Sequence, residues 1–262
     1  PQDPTGWEWI EDDAQVGLNV TNVPSYIQDR WRNNEEVRIR LLELWEWFEN
    51  TGLADPHFAS EFISKDLGKF DQRLWEMILA RHLTDQGFEV ASHAEGPDFR
   101  IERDGKVVWI EAITPAPRNI PEDWFYVAES AEDMKAISMP HEEILSRWTS
   151  ALSSKKRKFD DYIAGGIVGD EDSCAIAVNA VLLSRFSIDL DGISGSPFAL
   201  EATYPVGPYE IVFSRSSNEP VGGGHAYRDE IDNPTGGARI PTTSFLQTDY
   251  SRISGLLGAF AG

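Results

Sequence analysis

An Asp-Gly dipeptide between two runs of β-forming residues is the feature that most constrains this chain. Asp104 and Gly105 suit the two central positions of a tight hairpin, where both residues need a positive φ. The second arm, KVVWIEAIT over residues 106–114, is almost continuously apolar, as a strand covered on both faces should be. Glu111 nevertheless lies in its middle. A buried carboxylate must be protonated, pair with a cation or bind a metal.

Two further acids occur in comparable surroundings. Glu76 lies in the segment LWEMILA, within a predicted helix that is apolar on nearly every side. Asp98 follows a Gly-Pro dipeptide at the start of the first hairpin strand, so the hairpin brings it near Glu111. A shared site would explain all three acids, and oxygen ligands of this kind suit Mg²⁺. Taken singly, each acid is more typical of a structural role, such as a core ion pair.

The pattern along the chain predicts an α/β protein with a mixed β-sheet flanked by helices. The predicted helices cover 24–50, 57–66, 70–86, 141–163 and 250–257, and the predicted strands cover 88–93, 98–102, 107–113, 174–180 and 210–213. We expect three regions: an N-terminal acidic arm with a helical extension over 1–66, an α/β core over 67–190, and an irregular Gly- and Pro-rich region over 191–262 packed on that core.

The charge and composition of the chain limit the kinds of partner and the cellular location that we expect. The net charge is −21, from 44 acidic and 23 basic residues, whereas a nucleic-acid-binding surface is usually basic. The total alone favours an acidic solvated surface, a nucleic-acid mimic or a salty cytoplasm, although a local basic patch can oppose it. With no apolar run near the ~20 residues of a membrane span, no signal-like N-terminus and a single cysteine, we expect a cytoplasmic protein with no membrane partner.

The hairpin and its acids resemble a known family. The segments GPDF and VWIEA, with Asp98 and Glu111 thirteen residues apart and an inward Glu76 on the preceding helix, are similar to the PD-(D/E)xK nuclease superfamily. The likeness covers about residues 70–180 and implies a restriction-endonuclease-like core. By this resemblance, Asp98 and Glu111 would bind a divalent metal, Mg²⁺ or Mn²⁺, and Glu76 would complete or support the site.

One position departs from the family pattern. The family's lysine normally lies two residues after the second acid, on the same strand face, but here that residue is Ile113. The run KKRK offers a replacement on the helix predicted over 141–163, where Lys155 and Lys156 flank an apolar stripe. Lys155 could reach inward, whereas Lys158 lies to one side, and superfamily branches with a displaced lysine resemble this pattern. By this resemblance, Lys155, or failing that Lys158, would stabilise the transition state. A solvated or phosphate-binding face without chemistry is an equal alternative.

The leading hypothesis is therefore a metal-dependent endonuclease that hydrolyses phosphodiester bonds, with DNA as the expected substrate. Its catalytic residues would be Asp98, Glu111, Lys155 and Glu76. Three basic residues are expected to contact the nucleic-acid backbone, namely Lys156, Lys158 and Arg100. The alternative is a non-catalytic protein of the same fold that binds a partner through its acidic surface. A homodimer and a protein partner both stay open.

Overall fold

The computed structural model describes residues 22–93, 95–128, 130–184 and 191–261. They belong to two compact units that divide between His82 and Leu83. The boundary expected from the sequence lies at 66/67, and the acidic arm at the N-terminus falls almost wholly outside the described residues. No helix in the described part of the chain combines the length and apolarity needed to span a membrane.

Helices build the first unit: α1 (Val23–Arg30), α2 (Glu35–Thr51), α3 (Phe58–Phe62) and most of α4 (Leu67–Asp85). The single helix predicted over 24–50 is wrong, because two helices cover this stretch. The Asn34 side chain accepts the Val37 N–H at 3.2 Å and caps the start of α2, which favours a helix start over helix continuation. Aromatic rings fill the interior, and the Phe48 and Phe58 centroids are 4.7 Å apart.

Strands dominate the second unit. They are β1 (Glu89–Ala91), β2 (Phe99–Arg103), β3 (Lys106–Ile113), β4 (Ser173–Asn179), β5 (Val206–Phe213), β6 (Pro220–Tyr227), β7 (Glu230–Ile231), β8 (Ile240–Pro241) and β9 (Ile253–Ala259). Two helices accompany them, α5 (His141–Ala164) and the short α6 (Phe198–Glu201). Five strands form one mixed sheet in the order β1-β2-β3-β4-β9. The predicted α/β class with a mixed sheet is thus confirmed.

The tight hairpin predicted at the Asp-Gly dipeptide is confirmed. Asp104 and Gly105 have φ values of 54° and 72°, and they join β2 to β3 in an antiparallel pair. The chain then crosses over through α5 to β4, which runs parallel to β3. A cluster of buried side chains from α5, β3 and β4 forms the core beside this part of the sheet, with Trp148, Leu152 and Phe159 at most 1% exposed.

The C-terminal region is more regular than its composition suggests. The helix predicted over 250–257 is wrong: a short 3₁₀ turn at Thr248–Tyr250 leads into β9, which pairs parallel with β4. A short apolar run is compatible with both a strand and a helix. Here the segment forms a strand because it can pair with the open edge of β4. A Cβ at Gly258 would lie 3.2 Å from the Trp148 ring, so the glycine lets β9 approach α5 closely.

Candidate active site

Register brings two of the predicted acids together. Phe99 of β2 pairs with Ile110 of β3. Asp98 and Glu111 are the next residues of the two strands away from the turn, so they face each other across the hairpin. Asp98 Oδ2 also accepts the backbone N–H of Ala112 at 2.7 Å, which fixes the aspartate against β3. Glu111 is fully buried, with 0% of its surface exposed. The hairpin therefore holds one buried and one partly exposed carboxylate side by side.

Lys155 reaches this pair of acids from α5. It follows Leu152 by three residues and precedes Phe159 by four, so it lies within the buried stripe of the helix. Its Nζ donates a hydrogen bond to Glu111 Oε2 and lies 3.6 Å from Asp98 Oδ2. The lysine is only 6% exposed. Its aliphatic stem therefore packs in the core while its ammonium group offsets one of the two negative charges.

A second lysine borders the site. Lys158 Nζ lies 3.3 Å from Glu111 Oε2, and about half of the Lys158 side chain, 49%, remains exposed. One turn further along α5, Tyr162 lies within the field of both acids. Burial and the charges of Glu111 and Asp98 raise the pKa of the Tyr162 hydroxyl, so this residue stays protonated at neutral pH. Lys158 is thus the cation that solvent or a ligand can approach.

Opposing influences act on the pKa of Glu111. Burial raises the pKa of Glu111, and the negative charge of Asp98 raises it further, whereas Lys155 and Lys158 lower it. The net direction is upward, because a buried carboxylate loses its hydration. Oε2 accepts the lysine hydrogen bonds, but Oε1 is buried without a hydrogen-bond partner in the described structure. An acceptor oxygen thus remains available beside the ammonium group.

The remaining predicted site residues make contacts of their own. Lys156 pairs with Asp160 at 2.8 Å, and Arg100 pairs with Glu102 at 2.7 Å. Glu76 belongs to the first unit, where it accepts hydrogen bonds from Arg73 and Gln72, both at 2.8 Å. The structure thus assembles Asp98, Glu111, Lys155 and Lys158, whereas the roles predicted for these three stay predictions.

Ile113 occupies the position where the family pattern has its lysine. It is partly buried and packs against the apolar cluster beside the sheet. Strand alternation puts it on the same face of β3 as Glu111 and Trp109, the face covered by α5. A lysine at this position would compete with the core packing of α5, whereas Lys155 enters from the helix itself.

The donor chemistry of the two acids fits a hard divalent cation. Asp98 and Glu111 offer carboxylate oxygens, and Glu111 Oε1 has no hydrogen-bond partner in the described part of the chain. Mg²⁺ and Mn²⁺ are commonly held by one or two such carboxylates together with water. No group of three or more His, Cys, Asp or Glu residues with metal-binding geometry occurs among the described residues. The residues therefore fit a metal held by two acids, completed by water or substrate oxygens.

Sequence reasoning missed a second buried charged cluster. His141 Nε2 lies 2.6 Å from Glu201 Oε2, Arg228 Nη2 donates to the same oxygen at 3.0 Å, and the Ser194 N–H donates to Oε1 at 2.7 Å. Burial raises the pKa of Glu201, but the bonds from His141 and Ser194 lower it by more. The cluster ties α6, together with the chain before and after it, to the start of α5. Its members are far apart in the chain, so no local sequence pattern predicts the cluster.

Comparison with protein-family models, curated proteins and solved structures finds no match to this chain. The site and the order of the secondary-structure elements therefore carry the functional argument.

Proposed function

We propose that this protein is a metal-dependent nuclease with a restriction-endonuclease-like core. The observation that carries the proposal is the position of Lys155, whose ammonium group contacts Glu111 and approaches Asp98 from α5. Two acids on adjacent strands and a lysine are the groups that the resemblance requires, and here a helix supplies the lysine. The element order of the second unit, an antiparallel β1–β3 followed by α5 and a parallel β4, also supports the resemblance.

The acids and the lysines have separate roles in this proposal. Asp98 and Glu111 would hold Mg²⁺ or Mn²⁺, which supplies an activated water and offsets charge on a phosphoryl oxygen. Lys155 favours the charged form of Glu111 and holds this carboxylate in place, and its ammonium group would donate to the attacking water or to the scissile phosphate. Preorganised donors of this kind act strongly because a buried site has little water to reorganise.

Lys158 is more exposed than Lys155, and we assign it to the binding of substrate phosphate. Its exposed half faces solvent, while its Nζ stays close to Glu111. A lysine so placed offers a point charge to an incoming phosphate at the mouth of the site. Together, two lysines and two acids give the site no net charge. Phosphate can approach it without the repulsion that the total of −21 would impose.

The proposed substrate is a nucleic acid, and DNA is the first to assay. A cleavage assay with plasmid DNA and Mg²⁺ or Mn²⁺ should show activity in the wild type. Lys155→Gln should lower the rate about 10²-fold or more, the size of effect seen when one preorganised transition-state donor is removed. Arg157→Gln is the matched control, because it removes an exposed cation from the same turn of α5. Activity in Lys155→Gln equal to that of the control would contradict the assignment.

A second candidate is a non-catalytic protein of the same architecture. It is favoured by the hydrogen bond between Lys155 and Glu111, which satisfies the buried acid as a core ion pair. In that case the acidic surface would bind a basic partner protein, and the site would only hold the fold. Absence of cleavage with every metal, combined with lower stability in Lys155→Gln, would select this candidate.

A further inference from the structure

Two arginines meet at one backbone carbonyl beside the sheet. Arg147 of α5 donates its Nε–H to the oxygen of Ala116 at 2.9 Å. The backbone N–H of Arg118 donates to the same oxygen, also at 2.9 Å. Ala116 lies in the Pro-rich turn that follows β3. The shared acceptor therefore fixes the Arg147 guanidinium next to the residue that carries the second one.

Neither arginine has an acidic partner in the part of the chain that the structure describes. Burial and the nearby charge of Arg118 lower the pKa of Arg147, because neighbouring cations disfavour each other's charged form. Arg118 is exposed and Arg147 is half-buried. The fold therefore keeps two like charges together, and an anion would relieve their repulsion.

The available donors suit a phosphate group. The Arg147 Nε–H is already engaged, and no hydrogen bond joins its two Nη groups to a described residue. Guanidinium groups bind phosphate through paired N–H donors in a fixed plane. The bond to Ala116 holds Arg147 in one orientation, so little side-chain entropy is lost when an anion binds.

We propose that Arg118 and Arg147 form a binding site for a phosphate of the nucleic-acid backbone. The inference rests on the proposed nuclease function and deepens it, because it adds a substrate contact outside the acid–lysine site. Arg147 shares α5 with Lys155, and Arg118 lies five residues after the end of β3, which carries Glu111. Arg147 precedes Lys155 by eight residues of α5, about 12 Å along the helix axis. That distance corresponds to the axial rise of roughly three to four nucleotides in a DNA duplex.

Binding can be measured separately from cleavage. We would titrate the full chain into a fluorescently labelled DNA duplex, and into a single strand of the same length, in EDTA so that no metal-dependent cleavage occurs. Anisotropy would be recorded from about 50 to 200 mM salt, the range in which counterion release dominates the affinity. The variants are Arg118→Gln and Arg147→Gln. Arg157→Gln is the control, because it removes an exposed arginine from the same helix.

Each variant of the pair should weaken binding about eightfold near 0.1 M salt and reduce the slope of log K against log[salt] by about 0.9. The control should match the wild type. Arg118→Gln is the more informative variant, since its exposed side chain can be removed without loss of the Arg147–Ala116 bond. Unchanged binding in Arg118→Gln, an equal loss in the control, or a wild type that binds neither DNA would each overturn the inference.

Parallel cleavage assays separate the two proposals. Cleavage by the wild type, together with unchanged binding in Arg118→Gln, would reject the phosphate site and keep the nuclease. Weakened binding in Arg118→Gln, with no cleavage by the wild type under any metal, would keep the phosphate site and reject the nuclease.

Discussion

Replacing Lys155 with methionine tests how the buried acid is stabilised. The substitution preserves most of the side-chain volume but leaves Glu111, which is fully buried, without its nearest cation. Removing one partner of a buried pair typically costs about 3–5 kcal/mol. We expect about 3 kcal/mol, the lower end, because Lys158 remains 3.3 Å from the same carboxylate. With a urea m-value of about 2 kcal/mol/M, the midpoint should fall by about 1.5 M.

The loss should depend on pH in a defined direction. Burial already raises the pKa of Glu111 above its usual value, and loss of Lys155 removes an opposing influence, so the pKa rises further. An acid with a raised pKa in the folded state binds more protons when folded than when unfolded. Stability therefore falls as the pH increases from about 4.5 towards the folded pKa. The destabilisation of Lys155→Met should be larger at pH 8 than at pH 5.

Urea denaturation followed by circular dichroism at several pH values would measure both effects. Lys156→Met is the control for loss of a lysine from the same helix turn. The double variant Lys155→Met/Glu111→Leu should recover most of the lost stability, since an apolar pair can replace a buried ion pair with little cost. A pH-independent loss, or a double variant as unstable as the single one, would refute the buried-pair reasoning.

Two further predictions concern the acid pair and the second charged cluster. Calorimetric titration with Mn²⁺ at low salt should detect one or two sites in the wild type and none in Asp98→Ala/Glu111→Ala; heat that persists unchanged in the double variant would exclude these acids as ligands. Gly192→Ala should destabilise the protein by roughly 1–3 kcal/mol, because a Cβ there would lie 2.3 Å from the Glu201 carboxylate carbon. Gly222→Ala, which has open space at this position, is the control, and equal urea midpoints for the two variants would contradict the prediction.

The β2–β3 hairpin at the centre of the sheet could be predicted from residues that are neighbours in the chain. The Asp-Gly dipeptide specifies a tight turn, and the apolar run after it specifies a buried strand, so Asp98 and Glu111 could be placed side by side from sequence. The apolar stripe on α5 likewise predicted that Lys155 could face inward. Each of these inferences uses residues that are close in the chain or share one periodic element.

Long-range pairing accounts for what the sequence did not reveal. The sequence predicts a helix over residues 250–257, most of which belong to β9. This segment forms a strand because it pairs with the edge of β4, which is far away in the chain and leaves no local signal. The cluster of His141, Glu201 and Arg228 joins residues 60 and 87 positions from His141. The Arg118–Arg147 pair depends on one carbonyl in a loop. Such contacts follow from the assembled fold and leave no periodic pattern.

The place of β9 in the sheet also affects how the chain acquires its structure. Ile176 of β4 pairs with Leu256, 80 residues further along the chain. Closing so long a loop carries an entropic cost that is met before the strand contacts form, and folds rich in such contacts fold slowly. During synthesis, the edge of β4 would stay unpaired until almost all of the described chain has been made. We therefore expect refolding to show an early phase for the local β2–β3 hairpin and a late phase for docking of β9.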